Sequence, residues 1–368
     1  MTKPRVALIV GAGFSREADL PSTDRVTEKF LERPSRSQLP EAVDTAITSS
    51  LRRFWEVVFG FSGGKRPSLD DHFTVIDLAA NSGHHLGSYY SPKRLRAIRR
   101  LSIHRVFQIL DSSYQASDRI KRFLDALQRR TKLAIICLNW DVVIEKHLYG
   151  AGSPYDYVVE VEPLDQGSAL HKGVRLLKLH GSANWVYCDS CRRLFAGPPD
   201  EGKTALHRSA YLEADDFKAL ECEPDVVAAV ETLTSGERSC PRCTNRFAAR
   251  LATFSYRKAF SIHQFQTIWE RAHATLRDAD HWLFIGYSMP HADFEFRHLL
   301  KAAQLGRRRA SAWSATTVLM GDADGAPDRY RQFFGLSFDD RIRTCGFAHW
   351  ADSHLDNWLT SIRGVGGH

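Results

Sequence analysis

The chain has 368 residues, 43% of them hydrophobic and 25% charged, which is an ordinary composition for a globular protein. This length fits one large domain with an insertion, or two domains. No apolar run approaches the ~20 residues that a membrane helix needs. The N-terminus "MTKPRVALIVGAG" lacks the small-residue cleavage site of a secretory signal. A cytoplasmic protein without a membrane segment is therefore expected.

The net charge of +7 and the pI near 9.0 would suit a polyanionic partner. The basic residues are scattered, however, except in "RLRAIRR" (94–100) and "GRRR" (306–309). This distribution favours solvated helix faces over a nucleic-acid stripe. Direct binding of nucleic acid is not expected.

The first elements along the chain are one strand and a long helical region. "RVALIVGAG" (5–13) is apolar, as in a parallel strand buried on both faces. Residues 22–59 and 69–130 have helical patterns, separated by the flexible "GFSGGKRPS" (60–68). A plain βαβ unit needs only about thirty residues. The sequence therefore predicts a helical module, residues 24–130, inserted after the first strand.

Four further runs predict strands within 132–141, 174–185, 281–288 and 314–324, and the tail "RIRTCGFAHWADSHLDNWL" predicts a short strand and a closing helix. Strands that alternate with helices indicate an α/β fold with a doubly wound parallel sheet. Ligands of such sheets bind beyond the carboxyl ends of the strands. Each of these runs ends in polar or glycine residues, so a nucleotide site is expected at that edge.

The motif "GAGFS" (11–15) follows the first strand. Gly11 and Gly13 allow close approach to a pyrophosphate, and N–H groups there can hold anionic oxygens. Arg16 occupies the third glycine position of GxGxxG. A glycine pair is also what a tight strand-to-helix turn needs. Alone, the motif is compatible with either role.

Two polar strand ends are more informative. Asn139 and Asp141 flank Trp140, where an Asn can position water or a ribose hydroxyl and Asp141 can cap the next helix. His180 in "KLHGS" is either a structural histidine or a general acid/base. Its place beside the other polar strand ends favours acid/base chemistry.

Four of the seven cysteines form two CxxC pairs, Cys188 with Cys191 and Cys240 with Cys243. Four thiolates at this spacing indicate a closed structural zinc site rather than a redox pair. Residues 192–239 between them are an insertion with its own helix.

Together these motifs resemble the sirtuin superfamily: GAGFS with Leu20-Pro21, Asn-x-Asp, KLHGS, the two CxxC pairs, and GYS followed by Pro290 and Asp293. The resemblance implies a Rossmann-like domain with a zinc-ribbon module and NAD⁺ between them. The expected domains are residues 1–23, 131–187 and 244–368 for the Rossmann-like part and 188–243 for the zinc module. Residues 24–130 and 192–239 are not explained by the resemblance.

The resemblance also implies roles for single residues. His180 would be the general base, and Asn139 and Asp141 would face the nicotinamide ribose. The adenosine side would contact Gly286 and Ser288 and their neighbour Tyr287, with Asp322 a weaker candidate for the adenine ribose. The dinucleotide would also be lined by Gly11, Ala12, Gly13, Phe14 and Ser15.

Two sequence differences from lysine-deacylating sirtuins bear on which reaction the resemblance implies. "ADLPSTDRV" lacks their Phe-Arg stretch, and "RLATFSYRKAFSIHQFQTIWERA" replaces their peptide-binding segment. These features resemble the bacterial sirtuin-like antiphage effectors that destroy NAD⁺. This implies an NAD⁺ glycohydrolase controlled by homo-oligomerisation or by a partner, with a hexameric DNA-translocase-type ATPase or a prokaryotic Argonaute as examples.

Two other functions remain open at this stage. An NAD-dependent protein deacylase fits the intact His180 and the zinc set but lacks the peptide segment. A non-catalytic NAD⁺ or ADP-ribose sensor would need neither Asn139 nor His180, yet both are present. The glycohydrolase is therefore preferred.

Overall fold

A computed structural model describes residues 2–35, 37–163, 173–197, 199, 212–235, 239–245, 247, 263–307, 313–321 and 325–362. The strands in these ranges are β1 (Arg5–Val10), β2 (Lys132–Cys137), β3 (Tyr155–Asp156), β4 (Val161–Pro163), β5 (Val174–Lys178), β6 (Trp185–Cys188), β7 (Arg193–Ala196), β8 (His281–Ile285), β9 (Ser314–Val318) and β10 (Ile342–Arg343).

Helices connect most of these strands. They are α1 (Ala12–Ser15), α2 (Thr23–Lys29), α3 (Glu41–Phe59), α4 (Leu69–Ser82), α5 (Pro92–Ser113), α6 (Asp118–Arg130), α7 (Val143–Gly150), α8 (Ala214–Ala219), α9 (Pro224–Thr234), α10 (His263–Asp278), α11 (Phe294–Leu305), α12 (Ala326–Phe334), α13 (Phe347–Ser353) and α14 (Leu355–Ser361). Short 3₁₀ turns follow α1 and α12. In the described part of the chain, no helix combines the length and apolarity needed to cross a membrane.

Within the described residues, seven strands form one sheet in the order β10-β9-β8-β1-β2-β5-β3. Every neighbouring pair in it is parallel. Leaving aside the two-residue edge strand β3, the strands run outward in chain order in both directions from the centre of the sheet: β1, β2 and β5 to one side and β8, β9 and β10 to the other. This is the doubly wound, Rossmann-like order, so the predicted fold class is confirmed. The switch point, where β1 lies between β2 and β8, is where such sheets bind ligands.

The first hydrophobic core surrounds this sheet. Strand β8 is buried along its whole length and β1 is buried from Val6 onwards, which explains their uninterrupted apolar sequences. Helices α6, α10 and α11 cover the sheet, and Phe123, Ile268 and Leu300 are among the side chains that they bury. The site therefore lies at the edge of a rigid core.

A second core joins the helical block, α2–α5, to the insertion helices α8 and α9. Trp140 and Ala183, from the loops that follow β2 and β5, also belong to this core. The rings of Phe73 and Phe107 lie edge-on to the Trp140 ring, with centroids 6.2 and 5.7 Å away. The helical block thus packs directly behind two loops of the sheet edge. Helix α6 instead packs in the first core, and the domain boundaries given above stay a prediction.

Buried polar contacts organise the block. Trp55 Nε1 donates to His72 Nδ1 at 2.9 Å, and His72 Nε2 lies 2.7 Å from Ser102 Oγ. Burial lowers the pKa of His72 to about 3, so this histidine stays neutral. The arginines of the basic run are not simply solvated, since Arg94 pairs with Glu221, Arg99 with Asp77 and Arg100 with Asp216. The basic run thus ties α5 to its acidic neighbours.

The described part of the insertion contains two helices where the sequence predicts one. Glu221, with φ of 60°, breaks the chain between α8 and α9, and Pro224 starts the second helix. A separate small sheet in the order β4-β7-β6 carries the first CxxC pair.

Candidate active site

A cleft of about 530 Å³ opens at the carboxyl ends of β1, β2, β5, β8 and β9. This volume is in the range of small-molecule and cofactor sites. We call it the cleft throughout. Its walls are Gly11, Ala12, Gly13, Arg16, Ser22, Thr23, Asp24, Asp70, Leu138, Asn139, His180, Gly286, Tyr287, Ser288, Pro290, Ala292, Asp293, Leu319, Met320, Gly321 and Ala326.

Two glycine turns, residues 11–15 and 286–288, pack against each other on one wall. A Cβ on Gly11 would lie 2.7 Å from the Gly286 carbonyl oxygen, and one on Gly286 would lie 2.2 Å from the Phe14 nitrogen. Gly286 also has φ of +64°, which favours glycine. Close packing of the two turns therefore requires these glycines, independently of any ligand.

The N–H groups of this first turn are partly consumed by the same packing. Gly11 N–H donates to Ile285 O at 3.1 Å, and Gly13 N–H donates to Gly286 O at 2.9 Å. These two donors are directed at protein carbonyls and not at the cleft. The phosphate role expected for the glycine N–H groups would have to fall to other donors.

Ser15 links the first glycine turn to the polar turn after β2. Its hydroxyl donates to Asp141 Oδ2 at 2.8 Å, and Asn139 Nδ2 donates to Ser15 Oγ at 2.9 Å. A serine hydroxyl has one hydrogen, and the carboxylate takes it, so Ser15 can only accept from Asn139. This fixes the amide: Nδ2 faces Ser15, and Oδ1 is the acceptor end.

Asp141 has two structural tasks. Its Oδ1 accepts from Val143 N–H at 3.1 Å at the start of α7, although the N-cap position of this helix is Val142 and not Asp141. Its Oδ2 holds Ser15. Asp141 is 8% exposed and does not belong to the cleft wall. It therefore supports Asn139 from behind.

His180 lies on the cleft wall just after β5, and a hydrogen bond fixes the orientation of its ring. Nδ1 lies 2.9 Å from the Leu138 carbonyl oxygen, which can only accept, so Nδ1 carries the hydrogen. In the neutral ring Nε2 is then the basic nitrogen, and it lies 3.8 Å from Asp293 Oδ1. A proton acceptor of this kind suits general base chemistry.

A fully buried ion pair lies beneath the two polar turns. Lys178 Nζ is 3.2 Å from Glu145 Oε1, and both side chains are 0% exposed. Lys178 also donates to the Asp141 carbonyl oxygen, and Ser182 donates to Glu145 at 3.0 Å. Burial opposes the charge on Lys178, yet the neighbouring Cys137, Glu145 and Asp141 together raise its pKa above its usual value. The pair thus connects the turn containing Asn139 to the turn containing His180.

The predicted site residues divide into two groups. Phe14, Ser15 and Asp141 are buried and do not line the cleft; the ring centroids of Phe14 and Phe347 are 5.0 Å apart. Asp322 lies outside the described residues. The structure brings the others together on the cleft wall: Gly11, Ala12, Gly13, Asn139, His180, Gly286, Tyr287 and Ser288.

Four charged wall residues were not predicted as site residues. Arg16 and Asp24 follow the first glycine turn, Asp70 comes from α4 of the helical block, and Asp293 precedes α11. The break of GxGxxG at Arg16 was visible in sequence, and so was Asp293 downstream of GYS. No sequence pattern places Asp70 near the sheet edge.

The four predicted cysteine ligands converge in the zinc module. All four Sγ atoms, from Cys188, Cys191, Cys240 and Cys243, lie within 4.8 Å of one another. The closest pairs are 3.4 and 3.6 Å apart. Tetrahedral zinc with Zn–S bonds of ~2.3 Å would place sulfurs ~3.8 Å apart. The residue after each CxxC, Arg192 and Thr244, has a positive φ in matching turns. The set fits a tetrahedral metal ion.

The chain is similar to several solved structures. Three similar solved structures are a sirtuin studied for substrate affinity (12% identity, TM-score 0.43, covering 96% of this chain and 93% of that chain), a Sir2 enzyme studied for mechanism and regulation (16%, 0.35, 98% and 94%), and Sir2 with a p53 peptide and NAD⁺ (13%, 0.41, 97% and 94%). Among curated proteins, none matches this chain.

At these TM-scores and identities, the family assignment rests on the sequence match alone. The model of the SIR2-like domain matches residues 133–334, more than half of the 368-residue chain. The matched range includes Asn139, His180, the four cysteines and Gly286. The chain belongs to the SIR2-like family.

Proposed function

We propose that this protein is an NAD⁺ glycohydrolase, which cleaves the nicotinamide–ribose bond to give nicotinamide and ADP-ribose. Membership of the SIR2-like family supports NAD-dependent chemistry. The observation that carries the proposal is that Asn139 and His180 meet in one cleft with their proton positions set by the protein. Glycosidic cleavage needs such an oriented acceptor and base.

The reaction breaks the bond between C1′ of the ribose and the nicotinamide nitrogen. The bonding electrons leave with the nicotinamide, whose ring thereby loses its positive charge, and the sugar passes through an oxocarbenium-like state. Water forms the new C1′–O bond and releases one proton. His180 Nε2 is the group that takes this proton or one from a ribose hydroxyl.

Asn139 orients the oxygen that reacts or binds. Because Nδ2 is held by Ser15, the amide oxygen Oδ1 is the end that accepts from water or from a ribose hydroxyl. An oxygen held this way needs little reorganisation before it attacks, which lowers the entropic part of the barrier. Loss of the side chain should therefore reduce turnover more than binding.

Arg16 is the candidate group for the diphosphate of NAD⁺. Among the described wall residues it is the one with a permanent positive charge, and it follows the glycine turn immediately. Guanidinium groups bind phosphate oxygens through paired hydrogen bonds. This assignment replaces the glycine N–H groups, whose donors at Gly11 and Gly13 are used by the protein.

Hydrolysis is favoured over deacylation by the sequence departures. The stretch after the glycine turn lacks the Phe-Arg of deacylating sirtuins, and the peptide-binding segment is replaced. In an antiphage effector of this kind, NAD⁺ destruction would be held off until homo-oligomerisation or a partner, such as a hexameric ATPase or an Argonaute, switches it on. The helical block and the insertion are our candidates for those assembly surfaces.

The four-cysteine set is proposed to hold a structural Zn²⁺. Zinc bound by four thiolates has no open position for substrate, so its contribution is to stability. The small sheet holds the first ligand in place, since Cys188 ends β6 and is paired with Arg193 in β7. Elemental analysis for one zinc per chain is the direct check.

The proposal is tested with purified protein and NAD⁺, measuring nicotinamide release by chromatography. The assay is run over a series of protein concentrations, with and without an acetyl-lysine peptide. We expect release without peptide, and an increase in specific activity as the protein assembles. His180→Ala should lower the rate by about 10²–10⁴-fold, the usual contribution of a general base. His84→Ala, in an exposed loop outside the cleft, is the matched control.

The alternatives give different results in the same assay. Release that requires the peptide would contradict hydrolysis and support a deacylase. NAD⁺ binding without release at any concentration would support the sensor function. A variant Asn139→Ala that binds NAD⁺ but does not cleave it would agree with the orienting role.

A further inference from the structure

Asp293 is placed opposite the basic nitrogen of His180. Its Oδ1 lies 3.8 Å from His180 Nε2, and both side chains are mostly buried, at 12% and 8% exposed. Both residues line the cleft. A carboxylate and an imidazole at this distance interact strongly once the imidazole is protonated, because little water screens them.

The position of Asp293 is itself fixed by the second glycine turn. Tyr287 Oη donates to Asp293 Oδ2 at 3.2 Å, and Tyr330 Oη donates to the Tyr287 carbonyl oxygen at 2.9 Å. Burial raises the pKa of Tyr287 well above its ordinary value, and the charge of Asp293 adds to this effect. Tyr287 therefore remains a protonated donor, and the Oδ1 side of Asp293 stays turned toward His180.

We propose that Asp293 is a positioning residue that stabilises protonated His180 during turnover. The inference rests on the proposed glycohydrolase activity. When His180 Nε2 takes the proton released by water, the ring becomes cationic while facing Asp293 Oδ1. The carboxylate lowers the free energy of that state, and the fixed ring cannot turn away because Nδ1 is held by Leu138 O. Asp293 touches neither the attacking water nor C1′ in this scheme.

Other charged groups around His180 are unchanged when Asp293 alone is altered. Arg16, Asp24 and Asp70 line the same cleft. Beneath the turn lie the Lys178–Glu145 pair and Asp141. Because these groups are common to both proteins, the difference between wild type and an Asp293 variant reports on Asp293.

The test compares wild type with Asp293→Asn in pH–rate profiles of NAD⁺ cleavage. The amide is isosteric and can still accept from Tyr287, so folding should be retained. We expect kcat to fall about 10-fold at neutral pH. The acid limb of the kcat/KM profile should move to lower pH by about one unit, because a neighbouring carboxylate favours the charged imidazole. KM for NAD⁺ should change less than twofold.

Two further variants sharpen the result. Asp293→Glu keeps the carboxylate charge, so its acid limb should lie closer to the wild-type position than that of Asp293→Asn. Asp328→Asn, which removes an exposed carboxylate on α12, should leave rate and profile unchanged.

An acid limb that does not move in Asp293→Asn overturns the inference, and a large rise in KM alone would instead make Asp293 a ligand of a ribose hydroxyl. If wild type itself releases no nicotinamide from NAD⁺ without peptide, the proposed function fails, and the two failures are thereby distinguished.

Discussion

The glycine turns and the polar turns meet at the same edge of the sheet, yet they contribute in opposite ways. In the glycine turns, 11–15 and 286–288, the residue type is explained by close backbone packing between neighbours. In the polar turns, 138–143 and 179–184, the backbone pairs across the sheet and the side chains of Asn139 and His180 reach the cleft. One pair shapes the wall, and the other supplies the side chains that act in the proposed reaction.

This difference shows how a motif can be conspicuous for a structural reason. "GAGFS" is the most recognisable stretch of the sequence, but Gly11 and Gly13 are required where they contact Gly286. The side chains that we propose to act in the reaction lie in the turns after β2 and β5, and the buried Lys178–Glu145 pair lies beneath these turns and joins them. Substitutions in the two kinds of turn should therefore affect folding and catalysis to different extents.

The largest expected loss of stability comes from breaking the buried Lys178–Glu145 pair beneath the polar turns. Lys178→Met leaves Glu145 charged and buried without its partner, so we expect the free energy of unfolding to fall by about 3–5 kcal/mol. Urea denaturation followed by circular dichroism measures this loss. Activity should fall as well, because the Asp141 carbonyl loses its Lys178 donor.

The double variant Lys178→Met with Glu145→Gln separates charge from packing. It removes both charges while the amide still accepts from Ser182 and Tyr157, so roughly half of the lost stability should return. If the free energy of unfolding of Lys178→Met is within about 0.5 kcal/mol of the wild-type value, the ion pair does not support the polar turns.

The next effect concerns the glycine turns. Gly286→Ala places a methyl group 2.2 Å from the Phe14 nitrogen at a φ of +64°. Strain at positive φ and overpacking together should lower the free energy of unfolding by about 3 kcal/mol. Thermal and urea unfolding both measure it.

Gly60→Ala is the matched control for this change. Gly60 has φ of +66°, but nothing lies within 4 Å of an added Cβ. The control carries the conformational cost without the clash, and we expect a loss of only about 1 kcal/mol. Equal losses at both positions would mean that backbone conformation, and not packing between the turns, explains Gly286.

The sequence predicted the sheet well because its strands are long enough to show a pattern. β1, β2, β5, β8 and β9 have five or six residues each. The first four are largely apolar, and the apolar residues near β9 continue past its end into Leu319 and Met320. The strands missed in sequence, β3 and β4 among them, have two to four residues, too few for a period to appear. The division of the insertion into α8 and α9 depends on Glu221 in a left-handed conformation, which no apolar period records.

The positions of Asn139 and His180 on the cleft wall were predictable, because each residue follows a strand of the sheet closely in sequence. The site was not predictable where a residue's role depends on which atom faces which partner. Ser15 was expected to touch the dinucleotide, but it is buried and its hydroxyl is hydrogen-bonded to both Asn139 and Asp141. Asp70 reaches the cleft from α4 of the helical block. Its place on the cleft wall can therefore be seen only in the three-dimensional structure.

Ser15 joins the two kinds of turn, and its removal should give the smallest of these effects. Ser15→Ala leaves the Asn139 amide and Asp141 Oδ2 without their shared hydroxyl, at a cost of about 1–2 kcal/mol in unfolding free energy. Because Asn139 is then free to rotate, we expect kcat for NAD⁺ cleavage to fall about 10-fold. KM should change little, since Ser15 does not line the cleft.

Ser112→Ala is a suitable control, because that hydroxyl donates to a helix carbonyl, Ile109 O, remote from Asn139. It should leave turnover unchanged. A rise in KM in Ser15→Ala with kcat preserved would show that Ser15 contacts the dinucleotide after all, as the sequence motif suggested. A fall in kcat alone would show that the Ser15 hydroxyl acts by holding the Asn139 amide. The first glycine turn would then contribute to catalysis indirectly, through one side chain that positions the amide proposed to orient water.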